Sequence, residues 1–501
     1  MPEFFNAGDW LVIAAYLLGI IGLGVWFGKD QHNTRDYFLG SKNIPWWGVG
    51  LSIVATETSA LTFIGVPAMA YGADALTFMQ IVLGYVIARI ILAIVMVPHY
   101  FKGEIYSPYQ LFSQAFGLPA RRTVGAFFLL AGTLAAGVRV YVTCIPLQLM
   151  LGMRESQIIW AILLFILLSL AYTYVGGVKA VIWTDAVQFL LFMAGGLFTL
   201  FYVPTLMPGG WSGALAKAAE AGKLHWFNGQ FTLHKPFNIW MGLFGATFLV
   251  MSSHGVDQLI VQRVLTCRNA REGRKALALS AIIILPLFLI FLLTGTMLWV
   301  FYQSHPLAMP LPEARPGISK NDYVFPIFML TEVPHVLKGF LIVAILSAAM
   351  SSVSSALSAL ASVSTMDFVK PLARKEHSER FYLRLSKYST LGWAVLLVVV
   401  ACLAQKVESV LNAAFSLSGL TAGAMLGGLI LSLWWRKGRA TPVITGMIVS
   451  LAAMILISAA KDTLKVDWPW FTLIGTTITV LVAWLTSRLC GARSESPEPV
   501  L

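Results

Sequence analysis

Thirteen runs of apolar residues, separated by short polar segments, make up most of the chain. They fall near 9–27, 46–71, 76–98, 123–151, 155–175, 181–205, 237–260, 276–302, 337–362, 388–404, 409–434, 441–459 and 469–487. Each has close to the roughly 20 residues a helix needs to cross about 30 Å of hydrocarbon. The pattern predicts an all-α polytopic membrane protein with about 13 transmembrane helices and its termini on opposite sides. Two runs are interrupted. The second contains SIVATETSALTFIGVP at 52–67, whose middle has the composition of a turn or a binding loop. An acid and several hydroxyls at mid-depth are expensive unless they line a cavity or hold an ion. Gly65, Pro67 and Gly72 mark where the backbone can break.

Five runs later, the seventh is interrupted by SSHGVDQ at 252–258. Interrupted helices at corresponding positions of two halves are the sequence pointer to inverted repeats with a midplane site, and an odd number of spans per repeat inverts the second copy. The expected organisation is one transmembrane domain over 1–501. Its first repeat lies in 46–205 and its second in 237–434, with further helices in 435–487. A cytoplasmic tail, 488–501, reads as disordered.

Composition narrows the class. Of 501 residues, 58% are hydrophobic and 12% charged, against about 45–50% and about 25% in soluble proteins. No soluble domain of useful size is left. The net charge of +12 is explained by topology. With the N-terminus outside, 23 of the 35 lysines and arginines fall in inner segments and 10 in outer ones, while Arg89 and Arg139 lie within runs. A multi-pass protein of the cell membrane, N-terminus out and C-terminus in, is therefore expected, and no nucleic-acid partner is needed. The four cysteines have no metal-ligand spacing and imply no disulfide framework. The N-terminal MPEFFNAGDW lacks a basic segment and a small-residue cleavage site, so no cleaved signal peptide is expected. The loops near 206–236 and 303–336, rich in Pro, Gly and aromatics, are placed to cap the outer mouth.

Four features carry candidate chemistry. In SAAMSSVSSALSALASVS at 347–364, Ser351, Ser355, Ser358 and Ser362 share one helix face. Spacing alone reads first as close packing through small residues and second as a cation site built from hard hydroxyl ligands. Asp185, at the inner start of the sixth run, is either a functional intramembrane carboxylate or an interfacial acid paired with Lys179. Arg139, near the centre of the fourth run, needs an anion, and its planar fork suits a carboxylate. That anion is either Glu57 or a substrate; Arg89, nearer an inner end, reads as structural. Glu57 can pair with Arg139, join a cation site or carry a coupling proton. His254, at the second interruption, is either hydrogen-bonded structurally or a donor to solute.

The chain resembles the sodium:solute symporter family, which includes sodium-coupled glucose, proline, sialate and monocarboxylate transporters. SIVATETSALTFIGVP, VGGVKAVIWTDAVQ, HGVDQLIVQRVL and AAMSSVSSALSALASVSTMD carry the resemblance in the family's order, across about 35 to 435. It implies a LeuT-type core of two inverted five-helix repeats (5+5). It also implies a main sodium site at Ala55, Thr58, Ala348, Ser351 and Ser352, which puts the cation reading of the serine helix first. Members similar to sialate and galactose transporters add ligands that here are Asp185, Ser354 and Ser355, beside Ser351, so one or two sodium ions are implied. The implied solute pocket comprises Glu57, Ser59, Ala60, Thr62, Phe78, Gln80, Arg139, His254 and Asp257. Leu61 and Thr62 stand where sugar-transporting members carry polar ligands. Thr58 and Ala60 depart from the proline transporters. Arg139 is similar to the arginine that holds the substrate carboxylate in sialate-transporting members, whereas Glu57 repels an anion unless Arg139 or sodium balances it.

The expected function is a sodium-coupled secondary active symporter that imports a small carboxylate-bearing solute, such as a sialate or monocarboxylate, by alternating access. The alternatives are a sodium/sugar or sodium/amino-acid symporter, or a proton-coupled carrier using Glu57 or Asp185. An enzyme or sensor is disfavoured: no HExxH, GxSxG or clustered Cys/His motif is present. The implied partners are sodium, the solute and the bilayer.

Overall fold

The structure, a computed structural model, describes residues 4–489 apart from 29, 30, 151, 155, 156, 236, 315–318, 374, 376, 407, 436 and 437. The tail beyond 489 and six of the counted cations (Lys29, Arg315, Arg374, Arg436, Lys437 and Arg493) lie outside the described residues. Helices dominate, and no strand occurs among the described residues. The first helix, α1 (Ala7–Phe27), is followed by the broken pair α2 (Trp46–Glu57) and α3 (Ala60–Tyr71). Next come α4 (Met79–Ile91), extended by a π-helical turn, then α5 (Leu118–Met150) and α6 (Ile158–Thr205). A second broken pair, α7 (Thr247–Gly255) and α8 (Gln258–Leu265), leads to α9 (Ala270–Tyr302) and α10 (Leu337–Val363). The chain closes with α11 (Glu379–Lys406), α12 (Glu408–Trp434), α13 (Ala440–Ala459) and α14 (Phe471–Leu489).

Each predicted run coincides with a helical stretch, the fifth and sixth sharing α6. By length and composition alone, nine helices among the described residues can cross a membrane, or ten if α2 and α3 form one span bent by 60°. The 48 residues of α6 would rise about 72 Å if straight, over twice the hydrocarbon thickness. Gly177 breaks it, at φ 55° and ψ −156°, a region open essentially to glycine alone. A Cβ there would lie 2.6 Å from the Tyr37 carbonyl oxygen.

The serine helix α10 occupies the centre. Every residue from Leu341 to Val363 is buried, and α10 packs on α1, α2, α3, α5, α6, α8 and α11. Its first amides are capped from another helix: Asp9 of α1, fully buried, accepts from Val336 N–H at 2.8 Å, Gly339 N–H at 3.1 Å and His335 Nδ1 at 2.6 Å. Close approach of small residues sets the crossing of α4 with the seventh span, where Gly84 meets the Gly242 carbonyl. At the far end of α3, Lys223 donates to the carbonyls of Ala70, Tyr71 and Gly72. Phe325, in the short helix Val324–Thr331, stacks on Phe63 with centroids 5.0 Å apart.

Candidate functional site

The first break falls at Thr58 and Ser59, inside the polar interruption. Both take extended backbone conformations, and Ser59 closes a capping box with Thr62, its N–H donating to Thr62 Oγ1 at 3.2 Å. That amide would have served the Ala55 carbonyl had the helix continued. The Ala55 oxygen is left with Thr58 Oγ1 at 3.5 Å, while Thr58 Oγ1 donates to Val54 O at 2.7 Å. A loosely satisfied, buried carbonyl at a helix end is suited to a cation. On α10, Ser352 Oγ donates to the Ala348 carbonyl at 3.2 Å.

Asp185 of α6 is fully buried and gathers donors from three other helices, α2, α8 and α10. Ser351 Oγ donates to Oδ1 at 2.6 Å, and Ser52 Oγ to Oδ2 at 2.6 Å. Thr56 Oγ1 lies 3.4 Å from Oδ2 and 3.3 Å from Ser355 Oγ. The cation is Arg263 of α8, also fully buried, with Nη2 3.0 Å from Oδ2. Arg263 Nε donates to Ser52 Oγ at 2.9 Å, and its guanidinium also meets Ser355 Oγ and the Leu259 carbonyl. Ser354 and Ser355 turn their hydroxyls to the Ser351 carbonyl, at 3.0 and 2.6 Å. Lys179, considered as the partner of Asp185, is not the residue that pairs with it. A buried carboxylate requires a charge within hydrogen-bond reach, and Arg263 provides it.

Glu57 does not pair with Arg139. Its carboxylate meets the guanidinium of Arg89, fully buried on α4, with His254 Nε2 at 3.6 Å. Arg89 further donates to Ser280 Oγ at 3.2 Å and the Tyr85 carbonyl at 3.0 Å. Arg89 Nη2 stands 3.1 Å from His254 Nε2. A guanidinium only donates, so Nε2 accepts and the ring proton sits on Nδ1, 2.9 Å from Ser253 Oγ. The two helix breaks are thus joined through one arginine, since Glu57 ends α2 and His254 precedes the second break at Val256 and Asp257.

Arg139 faces a cavity of about 260 Å³ between α5, α7, α8 and α12, with Phe128, Ser252, Ser253, Asp257 and Thr421 in the wall. Among the described residues it makes no direct hydrogen bond or ion pair. Asp257 caps α8, accepting from Leu259 N–H at 2.9 Å. The remaining expected pocket residues stand elsewhere. Ala60 is fully buried, and Phe78 packs against Phe237 and Phe288. Gln80 is committed to a loop, donating to the Phe237 carbonyl at 3.3 Å and accepting from Asn228 N–H at 3.0 Å. Sequence reasoning assigned no ligand role to Ser52, Thr56 or Arg263. A signal existed: away from residues that open or border a run, Glu57, Asp185 and Asp257 outnumber Arg89 and Arg139 by one. Arg263, three residues past the expected end of the seventh run, is the missing cation.

Two broken helices set against a hydroxyl-rich buried helix, with a separate cavity beside them, define a LeuT-type secondary transporter. The model of the sodium:solute symporter family matches residues 37–450, and the chain belongs to that family. It is 28% identical over 493 residues to the sodium/sialic acid symporter SiaT of Proteus mirabilis, covering 97% of this chain and 96% of that one. It is 25% identical over 515 residues to the sodium/glucose cotransporter of Vibrio parahaemolyticus, with 98% and 92% covered. A solved structure of a Na+-coupled sialic acid symporter, substrate-bound and outward-open, superposes with a TM-score of 0.87 at 26% identity, over 99% of this chain and 100% of the other. The protein is a sodium-coupled transporter of a small solute and not an enzyme.

Proposed function

We propose that this symporter imports a carboxylate-bearing solute, a sialate foremost, with one or two sodium ions. One observation carries the choice of solute: Arg139 faces the cavity without an ion-pair partner among the described residues, while Glu57 is neutralised by Arg89. The repulsion that Glu57 would exert on an anion is thereby removed, and the free planar fork suits a carboxylate. The names of the relatives from Proteus mirabilis and Aliivibrio fischeri, both sodium/sialic acid symporters, agree with this reading.

In this proposal the main sodium ion is held by Ala55, Thr58, Ala348, Ser351 and Ser352. The loosely bonded Ala55 carbonyl supports that assignment. A second ion takes Asp185, Ser351, Ser354 and Ser355. The solute lies against Arg139 and Asp257, with Glu57, Ser59, Ala60, Thr62 and His254 at the two breaks beside it. Phe78 and Gln80, packed on aromatics and bonded to a loop, support the neighbouring wall. The two repeats are 46–205 and 237–434, supported by the matching breaks, while 435–487 and the tail 488–501 lie outside the core. The protein sits in the cell membrane with its N-terminus outside and C-terminus inside, as the lysine and arginine bias indicates. Sodium ties the broken second span to α10, and solute then closes the outer path. Each ligand favours the conformation that binds the other, reciprocally.

The test is uptake by purified protein in liposomes, with a sodium gradient or with choline in its place. The panel comprises sialates, short monocarboxylates, sugars and amino acids. Sodium-driven uptake confined to carboxylates is expected. Uptake indifferent to sodium, or a preference for neutral sugars, overturns the proposal.

A further inference from the structure

The oxygens around Asp185 already hold a cation, and it belongs to the protein. Six of them, both carboxylate oxygens and the hydroxyls of Ser52, Thr56, Ser351 and Ser355, come from α2, α6 and α10. All are buried, and a carboxylate removed from water there requires a compensating charge. Hard hydroxyl and carboxylate oxygens in such a cage suit an alkali cation. The guanidinium of Arg263 takes that position, bonded to Asp185, Ser52 and Ser355 together. Two positive charges at hydrogen-bond distance from one buried carboxylate repel strongly, because little solvent screens them.

We propose that the Arg263 guanidinium and a sodium ion are alternative occupants of the Asp185 cage. This rests on the reading that the cage takes sodium. The guanidinium is carried by α8, an eight-residue helix beginning at the second break, so its departure needs only that short element to move. Occupancy of the cage by sodium is then coupled to release of α8 from α2, α6 and α10. Arg263 lowers the apparent sodium affinity of the resting protein and makes the second ion's entry conditional on α8.

The experiment titrates sodium chloride against choline chloride at constant ionic strength, reading the thermal unfolding midpoint of the full-length protein in detergent and the sodium dependence of liposome uptake. If the guanidinium fills the cage in about 90% of unliganded molecules, removing it lowers the half-saturating sodium concentration about tenfold. Arg263→Gln is expected to show that shift in the unfolding assay. Arg263→Lys, a weaker fit to the cage, is expected to shift less. Asp185→Asn combined with Arg263→Gln is expected to abolish the shift and leave only the sodium dependence of the main site. An unchanged or raised half-saturating concentration in Arg263→Gln overturns the proposal. So does failure of that variant to fold even in high sodium, because sodium is expected to replace the lost charge. Absence of any sodium effect on the wild-type protein would instead overturn the reading of the sodium sites themselves.

Discussion

Glu57 and Arg139 are opposite charges in the same membrane-embedded core, and their partners decide their roles. Glu57 is held by Arg89, so its loss is felt as stability. Glu57→Gln leaves Arg89 buried without its anion, which costs about 3–5 kcal/mol for a broken buried pair. The thermal unfolding midpoint is expected to fall accordingly, and a Glu57→Gln/Arg89→Gln double variant to lose less than the sum of the two single variants. Arg139 has no such partner among the described residues, and its loss is expected to be felt as affinity. Arg139→Ala is expected to weaken carboxylate binding by about 2–5 kcal/mol, a rise in KM of at least about thirtyfold in uptake assays. Arg139→Lys is expected to fall between, since an ammonium cannot reproduce the fork. The sequence marked both residues, because a charge deep in an apolar run stands out. It left the partner of Glu57 open, with Arg139 as one alternative: the choice of Arg89 depends on which face of α2 meets α4, and a one-dimensional pattern carries no such information. Arg263 escaped for a related reason. It sits just past the boundary of an apolar run, where lysines and arginines are normally read as solvated.

The element scale was more legible. Both helix breaks, at Thr58–Ser59 and at Val256–Asp257, fall inside the polar interruptions, because a mid-membrane turn must recruit residues able to satisfy freed backbone groups. The connection between the fifth and sixth runs was read as a loop at 176–180, whereas the structure kinks at Gly177 alone, with helix on either side. The glycine pair in VGGVKA gives little warning that only its second member leaves the helical conformation. Gly177→Ala is expected to destabilise the protein by about 1–3 kcal/mol, because a side chain is strained at that φ and ψ and its Cβ would strike the Tyr37 carbonyl. Gly103→Ala, in open space at ordinary φ, is the control and is expected to leave the unfolding midpoint nearly unchanged. The central burial of α10 was also foreshadowed, since a helix of Ser and Ala alternating with Leu and Val has no face rich enough in bulk for lipid. Its capping by Asp9 was not, because the partner lies more than 300 residues away in sequence.

For the whole molecule, the fold class and family were readable from span count, charge bias and motif order. The cavity was not, because it is assembled from α5, α7, α8 and α12. That cavity holds Arg139 and Asp257 together, with consequences for the half of the cycle in which nothing is carried. A symporter that has delivered its cargo must reset with its binding site vacant, and a lone guanidinium in a low-dielectric interior resists that reset. Asp257, in the same wall but not bonded to Arg139 here, is the acid expected to balance it when the empty carrier turns back. Asp257→Asn keeps a side chain able to cap α8 while removing the charge. In that variant, net accumulation is expected to fall several-fold more than the exchange of labelled for unlabelled solute across the same vesicles, because exchange never requires the empty carrier to return. Equal losses in the two assays would show that Asp257 acts on the loaded carrier instead. The acid facing Arg139 is expected to serve the step that resets the transporter, and to set how far accumulation outruns simple exchange.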